Sequence, residues 1–251
     1  MQPKHFPVII LIGRPAAGKS EVIDFLKHAS SEERQRRFHI GSFEEIDDFV
    51  YVWETFEVDD ILSKHGKPRI WSDEKYWFKD NFIWNLYIER INLAYRKKLA
   101  ANASYHDQTT ALVEFARGGD NGFGEAFSYL HEEVLKRACI IYIKVTYEES
   151  VRKNRRRARP GLEDSILYHS LPDEKMEFYY KTNDWEKLTA KDPNYIDIRG
   201  FKIPYAVFEN MPEKTDDPAK LGAELERAKK NCGMSSSPAE RRYHLASVTS
   251  S

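Results

Sequence analysis

The apolar positions of this chain fall into short, dense runs separated by longer stretches with helical spacing. Five runs stand out: Pro7–Ile12, Arg37–Gly41, Ala111–Ala116, Cys139–Val145 and Pro204–Phe208. The first and fourth are near-continuous Val/Ile runs, the pattern of strands buried on both faces of a parallel sheet. Between the runs, apolar residues recur with the helical period. Lys19–His28 sets Val22, Ile23 and Leu26 on one stripe, and Glu125–Ala138 carries Leu130, Val134 and Leu135 along one face. Strand, crossover helix and strand alternate, which predicts a doubly wound α/β sheet. Tyr195–Ile198 and Lys202–Phe208 flank Arg199-Gly200, the pattern of a hairpin turn.

The interval from Ser42 to Thr110 is too apolar to be a linker. Ser42-Phe43-Glu44-Glu45 has the form of a capping box and predicts a short helix. Glu57–His65 predicts another, closed by Gly66. Asp73–Leu99 predicts a long helix carrying Tyr76, Trp77, Phe82, Trp84, Tyr87 and Tyr95. Such rings suit a core, and one or two of them also suit stacking on a substrate ring. Asn231–Ser251 is rich in Ser, Ala and Arg and predicts a disordered tail. The expected organisation is one domain over residues 1–230, with a helical insertion at 43–106, followed by the tail 231–251.

Composition narrows the function class. Hydrophobic residues make up 41% of the 251 residues and charged residues 31%, which is ordinary for a soluble globular protein. The formal net charge of −1 supplies no global field for nucleic acid or an anionic membrane, so neither partner is expected. The longest apolar stretch, Phe6–Ile12, is far too short to span a bilayer, and no secretory cleavage pattern follows it. Cys139 and Cys232 give no disulfide framework and no metal spacing, which points to the reducing cytoplasm.

The first candidate for chemistry follows the first strand. Gly13-Arg14-Pro15-Ala16-Ala17-Gly18-Lys19-Ser20 matches G-x-x-x-x-G-K-[ST]. In this pattern backbone N–H groups converge on a phosphate, with Glu21 closing the first helical turn. Lys19 brings a charge to the β/γ-phosphates, and the Ser20 hydroxyl ligates Mg²⁺. The helix that follows directs its positive end at the same anion. A buried strand before the loop and an amphipathic helix after it are the context that the pattern requires.

Two further stretches carry charge where chemistry would need it. In "TYEESVRKNRRRARPG", Arg152, Arg155, Arg156, Arg157 and Arg159 crowd one helix and its exit. Some suit a solvated face paired with Glu148 and Glu149. Others suit neutralising a transferring phosphoryl group as a mobile segment closes, with Arg152 and Arg156 the best placed. In "ALVEFARGG", Glu114 and Arg117 end a central strand, where open α/β sheets bind ligands. Glu114 can act through Mg²⁺ or as a base, and Arg117 can clamp a phosphate or the acceptor; a purely structural salt bridge is the competing reading.

The order of these motifs resembles the nucleoside and nucleoside-monophosphate kinase group of P-loop proteins. "EFARGG" is similar to that group's acidic-to-arginine signature at the third strand, although its spacing differs, and "RRRARPGLEDS" resembles the deoxynucleoside-kinase lid. The resemblance covers residues 7 to 230. It implies a three-layer α/β sandwich with a five-stranded parallel sheet ordered 2-3-1-4-5, a helical acceptor-side insertion, and an arginine-rich lid and following helix over 147–188 that ends near Trp185. It implies ATP and Mg²⁺ as cofactors and a small-molecule acceptor, and it sets Glu209-Asn210-Met211-Pro212 near the adenine.

The acceptor side is distinctive. Glu44, Glu45, Asp47, Asp48, Glu54, Glu57, Asp59 and Asp60 fall between Phe43 and Asp60 with no Lys or Arg among them. A kinase acting on a monophosphate needs cations there, whereas one acting on a hydroxyl needs a carboxylate to take the proton. The sequence therefore predicts transfer from ATP to a hydroxyl of a nucleoside-like or amino-sugar-like acceptor, with Asp47, Asp48 or Glu54 as base. The alternatives are a nucleoside monophosphate kinase, a nucleotide-binding regulatory ATPase and a polynucleotide 5′-kinase.

Overall fold

The computed structural model describes residues 5–157 and 170–233. Arg159, Pro160 and Gly161 of the arginine-rich stretch, and the tail beyond Gly233, lie outside the described residues.

Six strands form one sheet in the order β2-β3-β1-β4-β6-β5. They are β1 Val8–Gly13, β2 Ser42–Asp47, β3 Thr109–Phe115, β4 Ala138–Lys144, β5 Tyr195–Ile198 and β6 Phe201–Glu209. All neighbours among β2, β3, β1, β4 and β6 pair in parallel, so these five strands follow the expected 2-3-1-4-5 course. The sixth strand corrects the expected count. β5 pairs antiparallel with β6 through a turn whose Arg199 and Gly200 both have positive φ (52° and 84°), the turn hand that matches strand twist.

The main helices are α1 Lys19–His28, α2 Asp48–Lys64, α3 Ile83–Ala101, α4 Gly122–Tyr129, α5 Tyr147–Arg157, α6 Asp173–Tyr180, α7 Trp185–Thr189 and α8 Pro218–Asn231. They cover both faces of the sheet, and β1 shows why its run is continuous. Val8, Ile10 and Ile12 enter a core with Ile88 and Ile91 of α3 and Phe123 and Phe127 of α4. Ile9 and Leu11 enter the opposite core with Val22 and Leu26 of α1 and Leu221 and Leu225 of α8. Each such buried side chain contributes about 2 kcal/mol.

Several local expectations are corrected. Arg37–Gly41 is not a strand. Arg34–Phe38 forms a π-helical turn, and Phe38 packs edge-on to Phe25 with centroids 5.7 Å apart. The second strand lies five residues later, at Ser42–Asp47, so the capping-box reading of Ser42 fails. This is an edge strand, and its polar exposed positions are what an edge tolerates. The true helix cap is Asp47, whose carboxylate accepts the Phe49 N–H at 2.9 Å and starts α2. The helix expected from Asp73 begins only at Ile83. Before it, Asp59 accepts the N–H groups of Ile70, Trp71 and Ser72, and Asp73 accepts those of Lys75 and Trp77, so side chains hold an irregular aromatic strap. The helix expected over Glu125–Ala138 divides into α4 and a single turn at Glu132–Leu135. The helix expected to end near Trp185 is two short ones, α6 and α7.

Candidate active site

β1 delivers the glycine loop to the carboxyl edge of the sheet, between β3 and β4. Ala16 (φ 53°) and Gly18 (φ 118°) take left-handed conformations that fold successive N–H groups into a concave turn. A side chain at Gly18 would meet Thr215 at 2.8 Å and Asn210 at 2.9 Å, so the position requires glycine twice over. The first turn of α1 leaves its N–H groups without intrahelical acceptors; Val22 is the first to donate back, to the Gly18 carbonyl at 3.1 Å.

The loop is braced from outside. Asn210 donates to the Ala17 carbonyl (2.8 Å) and Ser150 to the Pro15 carbonyl (2.7 Å). The Arg14 guanidinium donates to Tyr180, Val145 and Lys181 carbonyls, so its side chain ties the loop to the end of α6. Lys19 is 6% exposed, and its ammonium donates to the Arg14 carbonyl at 3.2 Å. Ser20 is exposed at the helix start. This cradle of fixed N–H groups with a lysine and a hydroxyl at its rim has the geometry of an anion site. Among the described residues no three His, Cys, Asp or Glu side chains form a group that could hold a metal ion.

Three carboxylates converge beside the lysine. Parallel pairing sets Asp47 of β2 opposite Glu114 of β3, and Glu114 Oε1 lies 3.8 Å from Lys19 Nζ. Burial raises the Asp47 carboxyl to about 8, reinforced by the negative charges of Glu114 and Asp48. Burial raises Glu114 as well, against the pull of Lys19. Asp48 is buried and bonded to Arg117, which is 5% exposed and also donates to the Ala116 and Trp84 carbonyls. Burial raises the Asp48 carboxyl, and Arg117 opposes that shift. Glu54 is engaged by a different partner: it accepts from Arg90 on the exposed face of α2. Most of the other acids are structural, with Glu44 on Lys98, Glu45 on Lys27 and Asp60 on Arg69.

The arginines of α5 divide by direction. Arg152 pairs with Glu149 (2.7 Å) and Glu213 (3.4 Å), and Arg156 reaches Glu213 at 3.8 Å; both are largely exposed. Arg157 points the other way. It pairs with Glu21, next to Ser20, at 3.2 Å; against burial its charge helps hold the Glu21 carboxyl low, and it opposes the rise of Glu114. On α5, Arg157 is thus the arginine beside the loop and the carboxylates.

The segment after β6 packs on the loop. Asn210 is fully buried, bonding Ala17 and Thr215, and Glu213 holds the buried Lys153 at 2.7 Å. Asp184 accepts the N–H groups of Phe123 and Gly124, and Lys175 donates to the Lys75 and Tyr76 carbonyls. Sequence reasoning missed these braces, because each joins elements far apart in the chain and no local spacing announces it.

Loop, strand order and the position of the loop after β1 together define the phosphate-binding arrangement of a P-loop α/β protein. No protein-family profile matches the sequence, and no curated protein matches it. Among solved structures the chain is similar to APE1195 (TM-score 0.42, 13% identity, 90% of this chain and 98% of that one). It is similar to a shikimate kinase from Acinetobacter baumannii in complex with shikimate (TM-score 0.36, 12% identity, 98% and 92%). A shikimate kinase from Bacteroides thetaiotaomicron gives a TM-score of 0.38 at 17% identity, over 88% and 94% of the two chains. At these identities and scores the likeness carries no substrate and no residue role. No helix among the described residues is long and apolar enough to cross a membrane.

Proposed function

We propose that the protein is an ATP-dependent phosphotransferase acting on a hydroxyl group. The observation that carries this reading is the meeting of a braced glycine loop with the Asp47–Glu114 pair at Lys19. The loop N–H groups and Lys19 bind and orient the β/γ-phosphates. The Ser20 hydroxyl would hold Mg²⁺, which when bound would neutralise charge on those phosphates. The acceptor oxygen forms its bond to the γ-phosphorus as the bond from that phosphorus to the β–γ bridging oxygen breaks, and ADP leaves. The hydroxyl proton passes to the ionised member of the Asp47–Glu114 pair, while the other member keeps the proton that burial and the like charge hold on the pair. Arg157 offsets charge on the transferring group, a role that its position supports better than those of Arg152 and Arg156.

Arg117 bears on the choice of acceptor. Its guanidinium is already held by Asp48 and by two carbonyls, so it does not offer the free cation that a monophosphate acceptor requires. A metabolite-pool screen with γ-labelled ATP, followed by assay of nucleosides and aminated sugars against nucleoside monophosphates, tests the reading. Label on a hydroxyl acceptor supports it. Preferential phosphorylation of a monophosphate overturns it, and so does ATP turnover that no small molecule stimulates.

A further inference from the structure

A cleft of about 250 Å³ opens between the start of α3, the loop after β3 and the end of α6. Trp84, Phe178 and Tyr179 supply its aromatic walls. The Trp84 and Tyr179 rings meet edge to face at 5.5 Å, and Phe178 and Tyr179 do so at 4.9 Å. Asn85 is buried, and its amide donates to Glu125 Oε1 at 2.6 Å, which fixes the carboxylate at the mouth. Among the described residues Glu125 pairs with no cation. Arg117, the one cation among the described residues that line the cleft, is neutralised by Asp48. Three aromatic rings therefore line the same cleft as a carboxylate without a cation partner among the described residues, and the Arg117 guanidinium lies 5.1 Å over the Trp84 ring.

We propose that this cleft is the acceptor subsite and that it selects a single-ring hydroxyl compound carrying a protonated amine. The inference rests on the hydroxyl-transfer reading above. An ammonium is attracted both to the ring faces and to the Glu125 carboxylate. A carboxylate or phosphate on the acceptor meets Glu125 as a like charge and finds Arg117 already bonded. The volume suits one ring rather than a ring with a large substituent. Arg117 joins the cleft to the chemistry, since it forms part of the cleft wall and bonds Asp48, whose neighbour Asp47 faces Glu114.

Calorimetry on the full chain without nucleotide tests the preference, using pairs matched in shape: tyramine with 4-hydroxyphenylethanol and 4-hydroxyphenylacetate, and glucosamine with glucose. The amines should bind at least about tenfold more tightly than their neutral and anionic partners. Glu125→Gln should abolish that preference with its melting temperature unchanged, and Trp84→Leu should weaken amine and neutral rings together. Equal affinity within each pair, tighter binding of the carboxylate, or no amine binding at millimolar concentration overturns the proposal. If Glu125→Gln does not fold, discrimination by the wild-type protein alone decides. Amine binding without ATP-dependent phosphorylation of the bound amine overturns the cleft as acceptor subsite and leaves hydroxyl transfer to the metabolite-pool screen. Phosphorylation of neutral acceptors that the amines do not inhibit overturns the preference and leaves hydroxyl transfer standing.

Discussion

Asp47 and Glu114 face each other across the β2–β3 pairing, two acids on neighbouring parallel strands with Lys19 alongside. Like charges so placed in a buried site cannot both ionise cheaply, and the pair retains a proton into the neutral range.

That retention has a stability consequence with a definite sign. Asp47 goes from an ordinary 3.8 to about 8 in the folded chain, so the folded state holds the proton more tightly than the unfolded state. Its contribution is fully present below pH 3.8 and is lost as pH rises towards 8. Thermal melts should show a decline between pH 6.5 and 8, above the range where the buried histidines take up protons, that Asp47→Asn flattens. An unchanged slope in that variant would remove Asp47 as its source.

Lys19 is buried, contrary to what a loop residue suggests, so truncation removes packing as well as charge. Lys19→Met keeps the stem and deletes only the ammonium. We expect phosphoryl transfer from ATP to the acceptor to fall on the order of 10³-fold with little change in melting temperature. A turnover number within a factor of two of wild type would show that the loop lysine takes no part.

On the acid side the histidines act. His106 accepts from the Tyr95 hydroxyl at 2.7 Å through Nε2 and donates from Nδ1 to the Thr109 carbonyl, which fits the neutral ring. Burial lowers both His106 and His5 from 6.5. The unfolded chain therefore takes up protons first, and stability should fall as pH drops below 6.5. His106→Gln should reduce the slope between pH 6.5 and 5.5 in denaturant titrations. A slope equal to wild type would assign that limb to other groups.

Gly118 tests the packing of α6 against the strand-three loop. A Cβ there would lie 2.1 Å from the Tyr179 carbonyl oxygen, a contact that backbone must move to relieve. Gly118→Ala should destabilise by about 2–4 kcal/mol, read from the denaturant midpoint. A loss under 0.5 kcal/mol would mean that α6 shifts freely.

What the sequence showed, and what it hid, follows from where the information sits. The glycine loop was legible because its function lies in one contiguous stretch of backbone. β1 and β4 were legible because burial on both faces writes an unbroken apolar run. β2 was not, because an edge strand is largely polar and Ile46 is its only buried residue. Misplacing it by five residues hid the pairing of Asp47 with Glu114, a fact of strand register rather than of spacing along the chain. The capture of Arg117 by Asp48 was hidden for the same reason: the two residues are 69 apart in sequence.

The arginines give the last test. Arg157 lies against Glu21 beside Ser20, whereas Arg152 and Arg156 face Glu149, Glu213 and solvent. An arginine that offsets charge developing in the transition state lowers kcat when removed, and moves the KM for ATP far less. Arg157→Gln should therefore reduce kcat on the order of 10²-fold. Arg152→Ala and Arg156→Ala should leave it within about threefold, since exposed pairs of this kind contribute little. Glu21→Gln is the control, because it frees Arg157 without removing it, and it should retain most of the activity. If Arg157→Gln were silent while Arg152→Ala or Arg156→Ala stopped turnover, α5 would have to present its opposite face to the phosphates, and the assignment of Arg157 would fall.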